Sequence, residues 1–219
     1  MTMQTYSKID TVFTRGADFT VTDELRRPEF GIICHWVLTE KVDGTNVRLH
    51  FTPQPGGAVS HLIGGRTDNA QLPTSLLQVL SQLCERVTPQ VAAICADYEI
   101  PSLTLFGEGY GAKIQKGGGN YRADQGFILF DVLAGSTFLE ERSVTSTASR
   151  LDIARVPILH HETTIANAVD LCRSRYQSRI ANTEHPAEGV VAKPIVPLYD
   201  ARGQRVMWKL KGSDFAHGR

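Results

Sequence analysis

The sequence predicts an α+β fold in which most strands pair antiparallel, and three observations carry that expectation. Short apolar and β-branched runs recur along the whole chain. Gly, Pro, Asn and Asp turns separate most of them. Only three stretches, 73–87, 139–151 and 164–182, space their apolar residues as helices do. That mixture describes sheets flanked by a few helices.

The elements follow in order. Residues 32–51 read as two strands around a turn: Ile32 to Leu38 is apolar and β-branched, and Val47-Arg48-Leu49-His50-Phe51 alternates. Between them lies Lys41-Val42-Asp43-Gly44-Thr45-Asn46. Pro53 to Gly57 is a turn, and Leu62-Ile63 begins a strand that runs into Gly64-Gly65-Arg66. From Pro73 to Val87 the spacing puts Leu76, Leu77, Leu80, Leu83 and Val87 on one helical face, with Pro73 suited to the first turn. Leu103 to Phe106 is a strand entering Gly107-Glu108-Gly109. A glycine-rich loop, Lys116 to Arg122, precedes the strand Phe127 to Val132. Helices are expected over Leu139–Leu151 and Thr164–Asn182. Gly189 to Ala192 and Arg205 to Leu210 close the chain as strands around a turn at Asp200 to Gly203. Without internal repeats or a low-complexity linker, 1–219 reads as a single domain.

Composition narrows the class. The chain has 219 residues, 42% apolar and 21% charged, enough for a full hydrophobic core. No apolar run is long enough for a membrane helix, and Met1 to Thr5 lacks the layout of a secretory signal. A cytoplasmic protein with no membrane partner is therefore expected. Cys34, Cys84, Cys95 and Cys172 form no CxxC pair, which argues against zinc and for reduced thiols. The 23 basic and 23 acidic residues balance, so a protein that merely coats nucleic acid is disfavoured while a local basic groove is not.

Lys-x-Asp-Gly alone is an ordinary hairpin turn, because Asp-Gly is a preferred turn pair. Here it heads an ordered series. Glu40-Lys41-Val42-Asp43-Gly44-Thr45-Asn46 is followed by Gly65-Arg66-Thr67, Phe106-Gly107-Glu108, and Phe127-Ile128-Leu129-Phe130-Asp131. Glu188-Gly189-Val190-Val191-Ala192-Lys193 and Trp208-Lys209-Leu210-Lys211 complete it. Together these resemble the covalent nucleotidyltransferase superfamily of ATP-dependent DNA ligases, RNA ligases and mRNA capping enzymes. The closest resemblance is to the catalytic domain of the phage RNA ligase 2 family. Trp36 five residues before Lys41, the Thr45-Asn46 pair, Gln115 in Lys113-Ile114-Gln115-Lys116, and Phe130-Asp131 point there.

The resemblance implies a nucleotidyltransferase domain, unrelated to ATP-grasp enzymes, in which ligase adenylylation takes place. Lys41 would attack ATP and carry AMP as a phosphoramidate. An ordinary lysine is protonated at neutral pH, and neighbouring cations, here Lys209 and Lys211, disfavour that charge. The same two lysines would neutralise the departing pyrophosphate. At i and i+2 on a strand, they share one face. Glu40, Asn46, Arg66, Glu108, Phe130 and Lys193 are implied to contact the nucleotide. In that set Phe130 stacks on adenine, Glu108 accepts from the ribose hydroxyls, Asn46 and Arg66 meet phosphate or ribose, and Lys193 meets the α-phosphate. Glu188 is implied to hold Mg2+ or Mn2+, for which carboxylate oxygen is a suitable ligand. Asp43 is expected to hold loop geometry or water rather than to donate a proton. Gln115, Lys113 and Lys116 could meet a nucleic-acid strand or belong to a solvated loop.

The implied partner is nucleic acid with 5′-phosphate and 3′-hydroxyl ends, RNA favoured. Two departures from the family pattern stand out. Thr39 and Gly65 occupy positions that family members usually give to basic residues, and the chain reaches Arg219 with no C-terminal OB-fold or helical module in view. The second leaves room for a separate nucleic-acid-binding partner. Alternatives are a DNA ligase, a capping guanylyltransferase, or a binding module that keeps the fold without turnover.

Overall fold

Alternating sequence decides where each sheet lies, and the computed structural model describes this for residues 3–215. The strands are β1 (Asp10–Thr11), β2 (Phe13–Arg15), β3 (Val21–Leu25), β4 (Trp36–Lys41), β5 (Thr45–Pro53) and β6 (Val59–Gly64), then β7 (Leu103–Gly111), β8 (Gln125–Ala134), β9 (Thr137–Phe138), β10 (Ile158–Thr163), β11 (Gly189–Pro194) and β12 (Trp208–Lys211). The helices are α1 (Glu29–Ile32), α2 (Thr74–Asp97), α3 (Gly118–Tyr121), α4 (Glu141–Leu151) and α5 (Ile165–Arg173), with a 3-10 turn, η1, at Gly212–Phe215. Two compact units share these elements: residues up to Tyr6 with Asp43–Arg155, and Ser7–Val42 with Val156 onward.

The first unit is an antiparallel sheet in the order β6-β5-β7-β8-β9. Val47, Leu49 and Phe51 of β5 alternate into its core beside Leu103 and Leu105 of β7 and Phe127, Leu129 and Val132 of β8. Helix α2 packs there through Leu76, Leu80, Cys84, Val87, Val91, Ile94 and Cys95, and α4 through Val144, Ala148 and Leu151. The helix expected to stop at Val87 runs on to Asp97, past Pro89. An interior proline costs ~3 kcal/mol. Burying Val91 and Ile94 returns about 1.5–3 kcal/mol each, so burial wins.

The other face of this sheet carries polar side chains. Asn46 pairs opposite Glu108, Arg48 opposite Phe106, and His50 opposite Thr104. Arg48 is fully buried and donates to Gly65 O (2.6 Å), Met3 O (3.1 Å) and Asp68 Oδ1 (2.8 Å). Tyr6 donates to Asp131 Oδ2 at 2.7 Å. Between β7 and β8 the register slips: Phe106 faces Asp131, but Gly107 faces Leu129. Phe130 is the extra residue of a β-bulge, a device that re-aims a side chain.

The second unit is a sheet in the order β1-β12-β11-β4-β10, with β1 parallel to β12 and the other pairs antiparallel. Trp36, Leu38, Val190, Ala192, Trp208 and Leu210 fill its core together with Phe30 and with Ala168 and Cys172 of α5. Strands β2 and β3 form a separate hairpin.

Two expectations need correction. Residues 32–51 are not a hairpin, since β4 pairs with β10 and β11 while β5 pairs with β6 and β7. Lys41 is therefore the last residue of a strand rather than part of a turn. The helix expected over 164–182 ends at Arg173: its buried positions stop at Cys172, and Arg175 takes a left-handed φ of 51°. Among the described residues, no helix is long and apolar enough to cross a membrane.

Candidate active site

In the second unit, period-two alternation puts Trp36, Leu38, Trp208 and Leu210 on the core face, so Lys41, Lys209 and Lys211 take the other. Register aligns them. Gly189 lies opposite Lys41 on one side and Lys211 on the other, and Val191 opposite Thr39 and Lys209. Lys193, two residues further, shares that face opposite Val37 and is buried. Three strands thus bring four lysines to one side of one sheet.

A single carboxylate ties two of them together. Glu188 Oε2 lies 2.5 Å from Lys41 Nζ, and Oε1 lies 2.6 Å from Lys211 Nζ. The backbone holds this carboxylate in place, because Gly212 N donates to Glu188 O at 3.1 Å. Gly189 has to be glycine: a Cβ there would strike Leu210 O and lie 2.7 Å from Lys211 Cα.

Lys209 shows what the crowding costs. Burial first, then the charges of Lys41 and Lys211, push its ammonium below the usual lysine range; Glu188 opposes this and Lys8 adds to it. Its folded pKa thus lies below the unfolded value of 10.5. Between those two values the unfolded chain binds more protons, so stability rises with pH there, and the charged lysine costs stability below that window. Lys209→Met should accordingly stabilise the protein at pH 7 by about 1 kcal/mol and flatten the rise in Tm toward pH 10. Thermal melts from pH 7 to 10 check this; an unchanged or lower Tm at pH 7 contradicts it.

Glu40 is not brought to this face. It neighbours Lys41 on the strand and so points the other way, and it is 1% exposed. Ser178 Oγ donates to its Oε1 at 2.5 Å and Arg179 N to its Oε2 at 2.8 Å. Burial raises its carboxyl above the usual range, and those two hydrogen bonds work against the rise. The Glu40 side chain thus braces the end of β4.

The remaining expected residues belong to the first unit. Asn46 and Glu108 face each other across β5 and β7. Asn46 Oδ1 is buried without a hydrogen-bond partner, an acceptor left for a ligand donor. Phe130 is partly exposed at the bulge, with the Tyr6 ring edge-on at 5.0 Å. Arg66 is exposed just beyond β6. The segment after Lys41 is stapled to the glycine-rich loop: Gln115 Nε2 donates to Gly44 O at 2.9 Å, and Asp43 N to Tyr121 Oη at 3.3 Å. Lys113, with φ 67°, and Lys116 stand exposed on that loop. Asp43 thus holds loop geometry through its backbone.

Sequence reasoning missed Tyr6, the buried Arg48 and the Arg15–Asp214 pair. Only Arg48 left a trace, as a lone charge in an apolar strand. The others depend on partners far away in the chain. Among the described residues, no three His, Cys, Asp or Glu side chains group to hold a metal unaided.

Comparison with known proteins agrees with this arrangement. The RNA ligase family model matches residues 34–211, which contain all the motifs above. No curated protein matches the sequence. Among solved structures the chain is similar to the Naegleria gruberi RNA ligase. A lysine-to-alanine variant of that protein with ATP and Mn gives a TM-score of 0.62 at 16% identity, over 97% of this chain and 61% of that one. The same ligase with PPi gives 0.60 at 17%, over 96% and 62%. A lysine-to-methionine variant with AMP and Mn gives 0.59 at 17%, over 94% and 62%. At such identity the likeness establishes the fold. The chain spans about three fifths of the length of those ligases.

Proposed function

Because this chain belongs to the RNA ligase family, we propose that it is an ATP-dependent RNA ligase that carries AMP on Lys41. The observation that carries this reading is Glu188 held between Lys41 and Lys211, with Lys209 on the same face. An exposed salt bridge needs no such arrangement. A site for a polyphosphate does.

In the first step the deprotonated Lys41 Nζ attacks the α-phosphorus of ATP. An N–P bond forms, the bond from that phosphorus to the bridging oxygen breaks, and pyrophosphate leaves. Glu188 must release Nζ for the lone pair to reach phosphorus. Lys209 and Lys211 balance the charge that builds on the leaving group. AMP then passes to a 5′-phosphate end, and a 3′-hydroxyl displaces it to seal the strand. Neither later step needs a new protein nucleophile, only positioned charge.

The nucleotide contacts follow the family pattern. Phe130 stacks on adenine, Glu108 accepts from ribose hydroxyls, and Lys193 and Arg66 meet phosphate. The orphaned Asn46 Oδ1 is an acceptor, which suits a ribose hydroxyl better than a phosphate oxygen. Glu188, a lone carboxylate, fits Mg2+ or Mn2+ of the kind that takes one protein carboxylate and completes its shell with phosphate oxygens and water. Such an ion, when bound, neutralises phosphate charge and orients the leaving group. Residues 1–219 act as one adenylyltransferase domain, in the cytoplasm, on RNA with 5′-phosphate and 3′-hydroxyl ends, in repair of broken strands. Gln115, Lys113 and Lys116 border the strand.

The test is to incubate the protein with ATP, GTP and NAD separately and weigh it intact. A gain of one AMP from ATP alone is expected. A GMP adduct would indicate a capping enzyme, AMP from NAD a DNA ligase, and no adduct a binding module. Nicked duplexes with RNA or DNA 3′-terminal strands then separate the two ligase substrates.

A further inference from the structure

On one side of β12 the parallel partner β1 pairs only as far as Thr11 opposite Lys209, with Val12 N donating to Lys209 O at 3.2 Å. Beyond that point, among the described residues, no strand borders β12 on this side. The backbone N–H of Lys211 is nonetheless satisfied, because Asp214 Oδ2 accepts it at 2.8 Å. The turn η1 folds the chain back so that a residue three positions on can reach. The second oxygen of Asp214 accepts from Arg15 Nη2 at 2.6 Å. Arg15 is in turn held by Phe19 O at 2.5 Å and Thr11 Oγ1 at 3.4 Å. On the other side of the strand, Gly212 N is bound to Glu188 O.

We propose that Arg15 and Asp214 are positioning residues that set where Lys211 delivers its charge during lysine adenylylation; this rests on the ligase reading above. A carboxylate stands in for the strand that β1 no longer supplies, and it keeps Lys209 and Lys211 in the extended, same-face geometry that alternation requires. Asp214 is 3% exposed. The Arg15 side chain is about one third exposed, so the pair adds little net stability, but the buried Asp214 carboxylate that it anchors can fix one geometry among several. The backbone of Lys211 is thus pinned from both edges, and its Nζ reaches Glu188 Oε1. A shift of about 1 Å at such a group lowers a rate by up to about 100-fold.

The experiment is a double-mutant cycle on single-turnover formation of the lysyl-AMP adduct, with thermal melts alongside. Asp214→Ala should slow adduct formation by about 10–100-fold, and Lys211→Ala by more. In the double variant, Asp214→Ala should add nothing to Lys211→Ala, because its effect passes through that lysine. Independent effects that multiply, or an unchanged rate in Asp214→Ala, overturn the proposal. Should Asp214→Ala not fold, the same cycle with Arg15→Met decides, since that variant keeps the acceptor and removes its anchor. A wild-type protein that takes no AMP overturns the ligase reading itself, and this proposal with it.

Discussion

Lys41→Ala is expected to abolish transfer of label from α-labelled ATP to the protein, and Lys41→Arg to do the same. Alanine has no nucleophile. Arginine keeps the positive charge and can still pair with Glu188, but its guanidinium does not lose a proton in proteins. The two variants together separate charge from nucleophilicity. Removal of a covalent nucleophile should lower the first step by at least ~10^4-fold, which here means no detectable adduct. Stability should move little in the arginine variant. Denaturing gels and intact mass read the result. Full labelling in either variant would remove Lys41 from the mechanism.

Gly189→Val should be the next most damaging change, although it touches no charged group. Gly189 occupies the register position between Lys41 and Lys211, and an added Cβ meets the backbone of β12 rather than a side chain that could swing aside. The strands must separate or shift. Forcing bulk into such a place typically costs about 1–3 kcal/mol. Separation also moves Lys211 away from Glu188, so adduct formation should fall by about 100-fold or more. Chemical denaturation and single-turnover labelling measure both effects. A valine variant that labels at the wild-type rate would show that the spacing of β11 and β12 is not critical.

Much of this was readable from the chain alone, for reasons that differ by residue. The pairing of Lys209 with Lys211 was legible because a strand has a period of two, and the core alternation Trp208, Leu210 repeats it. The α+β class was legible from short strand-like runs between turn residues. The ends of helices were not. Pro89 reads as a stop, yet Val91 and Ile94 outweigh it once a sheet is there to cover them. The 164–182 segment reads as one amphipathic run, yet its fully buried positions end at Cys172 and the helix ends at Arg173. The bracing role of the Glu40 side chain was not legible either. Its partners, Ser178 and Arg179, lie so far along the sequence that only folding brings them to it. The bulge at Phe130 was equally hidden, since a register slip belongs to two strands and not to one.

The second unit is made of two segments separated by the whole of Asp43–Arg155. The strand that ends in Lys41 is bordered on both sides by β10 and β11, which come from the later segment. During synthesis, units tend to fold as their residues emerge. A nascent polypeptide that has grown only to Arg155 can complete the α2-covered sheet, but it owns neither Glu188 nor Lys211. On the proposed mechanism, a chain that stops at Arg155 is therefore expected to take no AMP from ATP.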